Sequence, residues 1–534
     1  MTQTLSAPTT VASEPTPTAS YSISDELASQ LKNHITTAGT RPTFDVRTPF
    51  TREVIGQVPL CNADDVAAAV ASARAAQPTW AAIGAKERGK VLLKLHDLVL
   101  AEQAQGLDLV QLESGKARAH AFEEVTDVAL VARYYAHTAG AHLKSRRRWG
   151  ALPGFTQTVE HHHPKGLVGV ISPWNYPLSM AITDAIAALA AGNAVILRPD
   201  QQSPFTALWT VDLLRRAGLP RDVLQVVTGP GPDLGPPIIA AVDYVMFTGS
   251  TATGRRIAQQ CAERLIGCSL ELGGKNPMIV LADADLDAAV AGAVRGSFAS
   301  AGQLCMSMER IYVEEPLYDR FVEAFGKATS EMRLGAELAF GIDMGSLVSE
   351  KQLTSVSAHV DDAVAKGATV VAGGKARPDI GPLFYEPTVL TNVKPGMELA
   401  CEETFGPVVS IYPVPDAPTA IELANDSDYG LNACIFTKDT KRGTALATQI
   451  KAGTVNVNEA YAAAWGSMDA PMGGMKTSGL GRRHGREGLL KYTESQTVAV
   501  QRGIGFTPMF GMSEEKHARM LTRMLGAMKK LPIP

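Results

Sequence analysis

Neither sign of charge predominates in this chain of 534 residues: Lys and Arg number 50, Asp and Glu 54, and the formal net charge is −4. A general electrostatic grip on nucleic acid needs a basic face, so that partner class is excluded. Cysteine is scarce, with six residues at positions 61, 261, 268, 305, 401 and 434. None forms a CxxC pair and no Cys/His spacing matches a zinc module, so no metal site is expected. Scattered thiols in a long chain imply a reduced, cytoplasmic setting. Long apolar runs are missing too. The best candidate, Ala185 to Leu197, is interrupted by Asn193 and falls short of the about 18 residues a membrane span requires. The N-terminus lacks the Lys/Arg start and apolar core of a secretory signal.

What is present is the composition of a globular protein, 45% hydrophobic and 19% charged. Residues 1–22, dominated by Thr, Ser, Pro and Ala, read as a disordered tail. Strands and helices then alternate. Leu167-Val168-Gly169-Val170-Ile171 is an apolar run, followed by an Ala-rich helical stretch from Leu178 to Ala191 and a second run, Ala194 to Arg198. That is a βαβ unit. Further strands are expected at 224–228 and 244–248. A second alternating series runs through 276–281, 310–313, 368–371 and 408–412. The pattern predicts an α/β fold of two parallel-sheet domains, with ligand crevices at the carboxyl ends of the strands. In the tail, residues 502–534, Met520, Leu521, Met524, Leu525 and Met528 recur at helical spacing. A packed or interfacial helix is the first reading and a membrane-surface helix the second.

Several segments carry groups capable of chemistry. Phe247-Thr248-Gly249-Ser250 ends a strand and opens a helix, where free N–H groups bind phosphate, although it is not the G-x-G-x-x-G fingerprint. Glu271-Leu272-Gly273-Gly274-Lys275 offers a carboxylate beside a crevice, a candidate general base against the alternative of a solvated loop. Gly302-Gln303-Leu304-Cys305 offers a thiol, which catalysis would have to activate. Trp174-Asn175-Tyr176-Pro177 places an amide where it can donate to an oxyanion. Glu402-Glu403 precedes a strand, and at least one of the pair should face water or a hydroxyl-bearing ligand. Three adjacent histidines, His161 to His163, point to alternating faces of a strand and do not converge on a metal. The short basic run at 144–148 reads as a solvated loop.

In this order and spacing, these motifs resemble the successive signatures of the aldehyde dehydrogenase superfamily, together with Phe384-Tyr385-Glu386-Pro387-Thr388 and Gly473-Gly474-Met475-Lys476-Thr477-Ser478-Gly479. The resemblance covers about residues 25–500. A finer resemblance, carried by Asn175-Tyr176-Pro177 and Leu197-Arg198-Pro199-Asp200, is to the succinate-semialdehyde dehydrogenases of the second actinobacterial type. It implies a Rossmann-like cofactor domain (23–144 and 164–272), a catalytic domain (273–478) and a small β oligomerisation element (145–163 and 479–501), with assembly into a homodimer or homotetramer. It implies that Cys305 attacks the aldehyde, that Asn175 holds the oxyanion and that Glu271 activates the hydrolytic water. The cofactor would be held by Trp174, Gly249, Ser250, Glu403 and Phe405, with Arg198 and Gln201 at its adenosine end.

Two departures matter. Where many members carry Lys-Pro-Ser-Glu, this chain has Arg198-Pro199-Asp200-Gln201. An uncharged Gln201 removes repulsion toward a 2′-phosphate and Arg198 offers a clamp, which favours NADP, with NAD as the alternative. And where succinate-semialdehyde enzymes carry an Arg near the aldehyde tunnel, Thr183 and Asp184 stand, with no cation to replace it. The implied reaction is oxidation of succinate semialdehyde to succinate. The alternative is a broad-specificity dehydrogenase of uncharged aldehydes, served by an apolar tunnel from the loop between Glu459 and Asp469, with Met472 nearby.

Overall fold

The computed structural model describes residues 21–152, 154–503, 505–509 and 511–529. Most of the expected N-terminal tail, residues 1–20, lies outside the described residues. The Tyr21 ring packs on Phe50 at 5.6 Å, so ordered chain begins before residue 23.

Two sheets organise the molecule. The first has six strands in the order Gly479–Leu480, Gly267–Glu271, Tyr244–Thr248, Leu167–Ile171, Ala194–Arg198, Leu224–Val226. All are parallel except the short Gly479–Leu480, which runs antiparallel to Gly267–Glu271. The second has seven, in the order Thr369–Ala372, Thr388–Thr391, Val408–Val414, Met308–Glu314, Asn276–Val280, Asn432–Phe436, Thr454–Val457. Only Thr369–Ala372 is antiparallel to its neighbour. Their central strands are buried along their whole length, which is why they read as continuous rather than alternating apolar runs.

The helix Pro177–Ala190 shows how sequence sets local structure. Pro177 occupies its first turn, where no N–H is needed. Just past its C-cap, Ala191, the chain turns away at Gly192, whose φ of +96° suits glycine. Every one of its 14 residues is buried, so it has no polar face. Leu178, Ile182, Ile186 and Leu189 are fully buried, each contributing about 1.5–3 kcal/mol by leaving water. At its N-terminus the Glu124 carboxylate accepts from the Leu178 and Ser179 N–H groups at 2.8 and 3.0 Å, the favourable end for an anion.

A third, three-stranded sheet joins Thr493–Gln501, Thr156–Pro164 and Arg146–Arg148. Of the segment 479–501 assigned above to the oligomerisation element, only Thr493–Gln501 lies in this sheet. Gly479–Leu480 belongs to the first sheet, and the helix Gly485–Leu490 packs on Arg118–Leu143 and Pro177–Ala190. A two-residue strand carries too little periodicity to be read in advance. In the C-terminal tail, Glu514–Met528 is a helix with His517 buried and Leu525 exposed. Among the described residues, no helix is long and apolar enough to cross a membrane.

Candidate active site

The carboxyl ends of the first sheet face the loops of the second across one cavity. Trp174, Asn175, Gly249, Ser250, Glu271, Cys305, Glu403 and Phe405 all line it.

Cys305 is reached through a strained turn. Ser300, Ala301 and Gly302 have φ of +52°, +55° and +67°, three successive left-handed residues, two of them not glycine. A Cβ on Gly302 would lie 2.0 Å from the Gly406 carbonyl oxygen, so glycine is required there. The Ser300 hydroxyl donates to Tyr176 Oη at 3.0 Å. Asn276 Nδ2 donates to the carbonyls of Cys305 and Ser307 at 2.8 Å each, pinning the far side of the turn. Burial, with the Glu271 and Glu403 charges, pushes the Cys305 thiol up to about 12. The thiol is therefore protonated at neutral pH until a positive charge is brought beside it.

Asn175 is buried, and its Nδ2 donates to the Gln303 carbonyl at 2.9 Å, which aims the amide at the Cys305 side of the cavity. Its own carbonyl accepts from Lys116 Nζ at 2.7 Å, and Lys116 also pairs with Glu124 at 2.5 Å. Glu271 ends its strand, buried, and its Oε1 meets no hydrogen-bond partner among the described residues. Burial pushes its carboxyl up to about 7, against the opposing charges of Arg483 and Lys491. A half-ionised carboxylate with a free oxygen is the electrostatic profile of a general base.

On the other side, Ser250 caps the helix Thr251–Glu263, accepting from the Thr253 N–H at 3.4 Å. Glu403 accepts from the Gly274 N–H at 2.8 Å, and burial, then Glu309, raises its carboxyl to about 8. A Cβ on Gly273 would meet that carboxylate at 2.2 Å. The Trp174 and Phe405 rings meet edge to face at 5.6 Å. Phe405, at φ +52°, is held by a buried ion pair: Lys275 Nζ lies 2.5 Å from Glu309 Oε2, and Glu309 accepts from the Thr404 and Phe405 N–H groups. Gln352 Nε2 donates to the Phe405 carbonyl at 2.8 Å. A helix N-terminus, a carboxylate and an aromatic corner thus line the same cavity as the thiol, groups suited to the pyrophosphate, ribose and nicotinamide of a dinucleotide.

Arg198 is not among the residues lining this cavity. Its buried guanidinium donates from Nε and Nη2 to the Gly229 carbonyl at 3.0 and 2.8 Å, with Asp200 Oδ2 3.5 Å from Nη1. The phosphate clamp expected of it gives way to a clamp on the loop after Leu224–Val226. Gln201 is exposed on the turn before Pro204–Ala217.

The expectation that no cation stands near Thr183 and Asp184 is overturned. Arg483 lines the cavity and is buried, and its Nη2 donates to Thr183 Oγ1 and Asp184 Oδ2, both at 2.8 Å. It comes from the far end of the chain, where sequence spacing gives no sign of it. Lys116, Glu124, Glu309 and Asn276 were missed for the same reason: a lone charge or amide in the sequence gives no sign of a buried partner. Met180, Trp465 and Met472 supply apolar lining beside Arg483, so the tunnel is apolar in part only. Among the described residues, no group of three or more His, Cys, Asp or Glu could hold a metal ion.

The chain matches the model of the aldehyde dehydrogenase family over residues 35–498. A Mycolicibacterium smegmatis protein provisionally named as an NADP(+) succinate-semialdehyde dehydrogenase is 55% identical over 483 residues, 90% of this chain and 93% of that one. The NADP(+) succinate-semialdehyde dehydrogenase GabD of Escherichia coli is 37% identical over 463 residues, 86% and 94% of the two chains. The solved NAD+ complex of an aldehyde dehydrogenase from Bacillus cereus matches with a TM-score of 0.84 at 35% identity, covering 90% of this chain and 99% of that one.

Proposed function

The chain belongs to the aldehyde dehydrogenase family, and from that premise we propose that it oxidises succinate semialdehyde to succinate with NADP, NAD serving as a second cofactor. The observation that carries the reading is one cavity lined by a thiol, an amide donor and a buried carboxylate with a free oxygen, Cys305, Asn175 and Glu271.

The Cys305 thiolate adds to the aldehyde carbon. Asn175 Nδ2 and the Cys305 backbone N–H stabilise the oxygen that becomes negative. When bound, the oxidised nicotinamide would supply a positive charge near the thiol and a hydride acceptor. Loss of hydride from the substrate carbon leaves a thioester on Cys305. Glu271 then takes a proton from water as the water oxygen attacks the thioester, the C–S bond breaks, and the acid leaves with the thiol regenerated. Ser250 and Gly249 would hold the pyrophosphate, Glu403 the nicotinamide ribose, and Trp174 and Phe405 the ring. Gln201 would leave room for a 2′-phosphate, with Arg198 shaping that end from below. The names of the M. smegmatis and E. coli relatives support both the substrate and NADP.

The exposed strand Thr493–Gln501, with Val498 and Val500 in the open, supports assembly into a homodimer or homotetramer through the three-stranded sheet. Six free cysteines support a reducing, cytoplasmic setting.

The test is cofactor reduction by a panel of aldehydes, with NADP and NAD, with and without coenzyme A. Succinate semialdehyde should be the preferred substrate, without need of coenzyme A. A requirement for coenzyme A would assign a different acyl acceptor, and a preference for uncharged aldehydes would remove the substrate assignment.

A further inference from the structure

We propose that Arg483 binds the remote carboxylate of the substrate and is the residue that selects a semialdehyde acid over an uncharged aldehyde. The proposal rests on the succinate-semialdehyde reading above and deepens it. A carboxylate taken into a dry cavity needs a charged donor, since an unpaired buried charge is costly. The neighbouring hydroxyls are already engaged within the protein. The Thr183 hydroxyl donates to the Ser179 carbonyl at 2.7 Å and accepts from Arg483 at 2.8 Å. Ser467 is exposed and donates to the Ala463 carbonyl at 2.7 Å. Lys351 also lines the cavity, but it stands on Glu350–Ala365 beside Gln352, whose amide holds the Phe405 carbonyl, at the cofactor side.

Arg483 sits on the opposite side, beside Met180 and Thr183, and retains capacity. Its Nη2 is committed to Thr183 and Asp184, but the contact of its Nη1 is the Met180 sulfur at 2.8 Å, a weak acceptor that a carboxylate oxygen would outcompete. Asp184 lies between two cations, 2.8 Å from Arg483 Nη2 and 3.7 Å from Lys491 Nζ. The other carboxylates facing the group are Glu271, half-ionised, and Asp127, which accepts from Trp465 Nε1 at 2.8 Å. The position is rigid: residues 472 and 483 exchange backbone hydrogen bonds of 2.9 and 2.6 Å, and His484 turns the chain at φ +58°. Asp184, which a lone reading would take as repelling the substrate, instead orients the guanidinium.

The test is the ratio of kcat/KM for succinate semialdehyde to that for butanal. Any effect of Arg483 on Glu271 or on folding enters both substrates alike and cancels in the ratio. Arg483→Gln should lower the ratio at least tenfold, mostly through KM for succinate semialdehyde. Because this variant leaves Asp184 with a weaker partner, the double variant Arg483→Gln with Asp184→Asn is measured beside it and should lower the ratio as much. An unchanged ratio in both Arg483 variants, or a collapse caused by Lys351→Met instead, overturns the assignment. If the native enzyme shows no preference for succinate semialdehyde, the substrate reading itself fails and Arg483 falls with it. A native preference that survives Arg483→Gln refutes the inference alone.

Discussion

Replacing Glu271 by Gln separates the two halves of the reaction. Glu271 is buried, its Oε1 lacks a partner, and its carboxyl is raised to about 7. A base works in its ionised form, so hydrolysis of the thioester should rise with pH through that value. About a tenth of the carboxyl is ionised at pH 6 and about nine tenths at pH 8, a rise of roughly tenfold. General-base assistance accounts for about 10²–10⁴ in rate, or about 2.7–5.4 kcal/mol of barrier. Glu271→Gln keeps the shape and loses the base, so the thioester should form and then persist. Stopped-flow absorbance should show a burst of about one reduced cofactor per site, followed by turnover at least about a hundredfold slower than native. The Glu271 charge also helps to raise the Cys305 thiol, so its removal should not slow the burst. Loss of the burst, or native single-turnover hydrolysis that is flat between pH 6 and 8, would refute the assignment of Glu271 as the deacylation base.

Three further outcomes are expected. Cys305→Ala should abolish oxidation while calorimetry still detects cofactor binding, and residual turnover above about a thousandth of native would remove Cys305 as nucleophile. Gln201→Glu should lower kcat/KM for NADP at least tenfold, about 1.4 kcal/mol, relative to NAD, and an unchanged ratio would place residue 201 out of reach of the 2′ position. Glu309→Gln should destabilise the fold by about 3–5 kcal/mol in urea titrations, because Lys275 is left as an uncompensated buried charge, while Lys275→Met with Glu309→Leu should cost less. A single-variant loss below about 1 kcal/mol would show that the pair does not hold the Thr404–Phe405 turn.

The parts of the molecule legible in the sequence share one property, a local signal. Strands such as Leu167–Ile171 and Ala194–Arg198 announce themselves as apolar runs because helices cover both faces of a parallel sheet. Cys305, Glu271 and Asn175 stand out because glycines, prolines and aromatics flank them in short motifs. The strain at Ser300 and Ala301 was not legible, since neither residue type advertises a left-handed backbone. Nor was the return of Gly479–Leu480 to the first sheet, which two residues cannot encode by periodicity.

The cation at the tunnel shows why charge is the hardest feature to read from position. Thr183 and Asp184 lie on a helix whose residues are all buried, and a buried aspartate taken alone implies repulsion of an anionic substrate. A buried carboxylate is not tolerated alone, however; its cost demands a partner in the fold. Here the partners are Arg483 and Lys491, from a segment 299 residues away in the case of Arg483. The inference that sequence position alone supported, a site without a cation, therefore inverts under its own physics. An acidic residue that must be buried calls in a base, and a base that lines a cavity and spends Nη1 on a thioether retains a donor for a ligand. The absence of an arginine on the helix says which element carries the charge, not whether the site is charged.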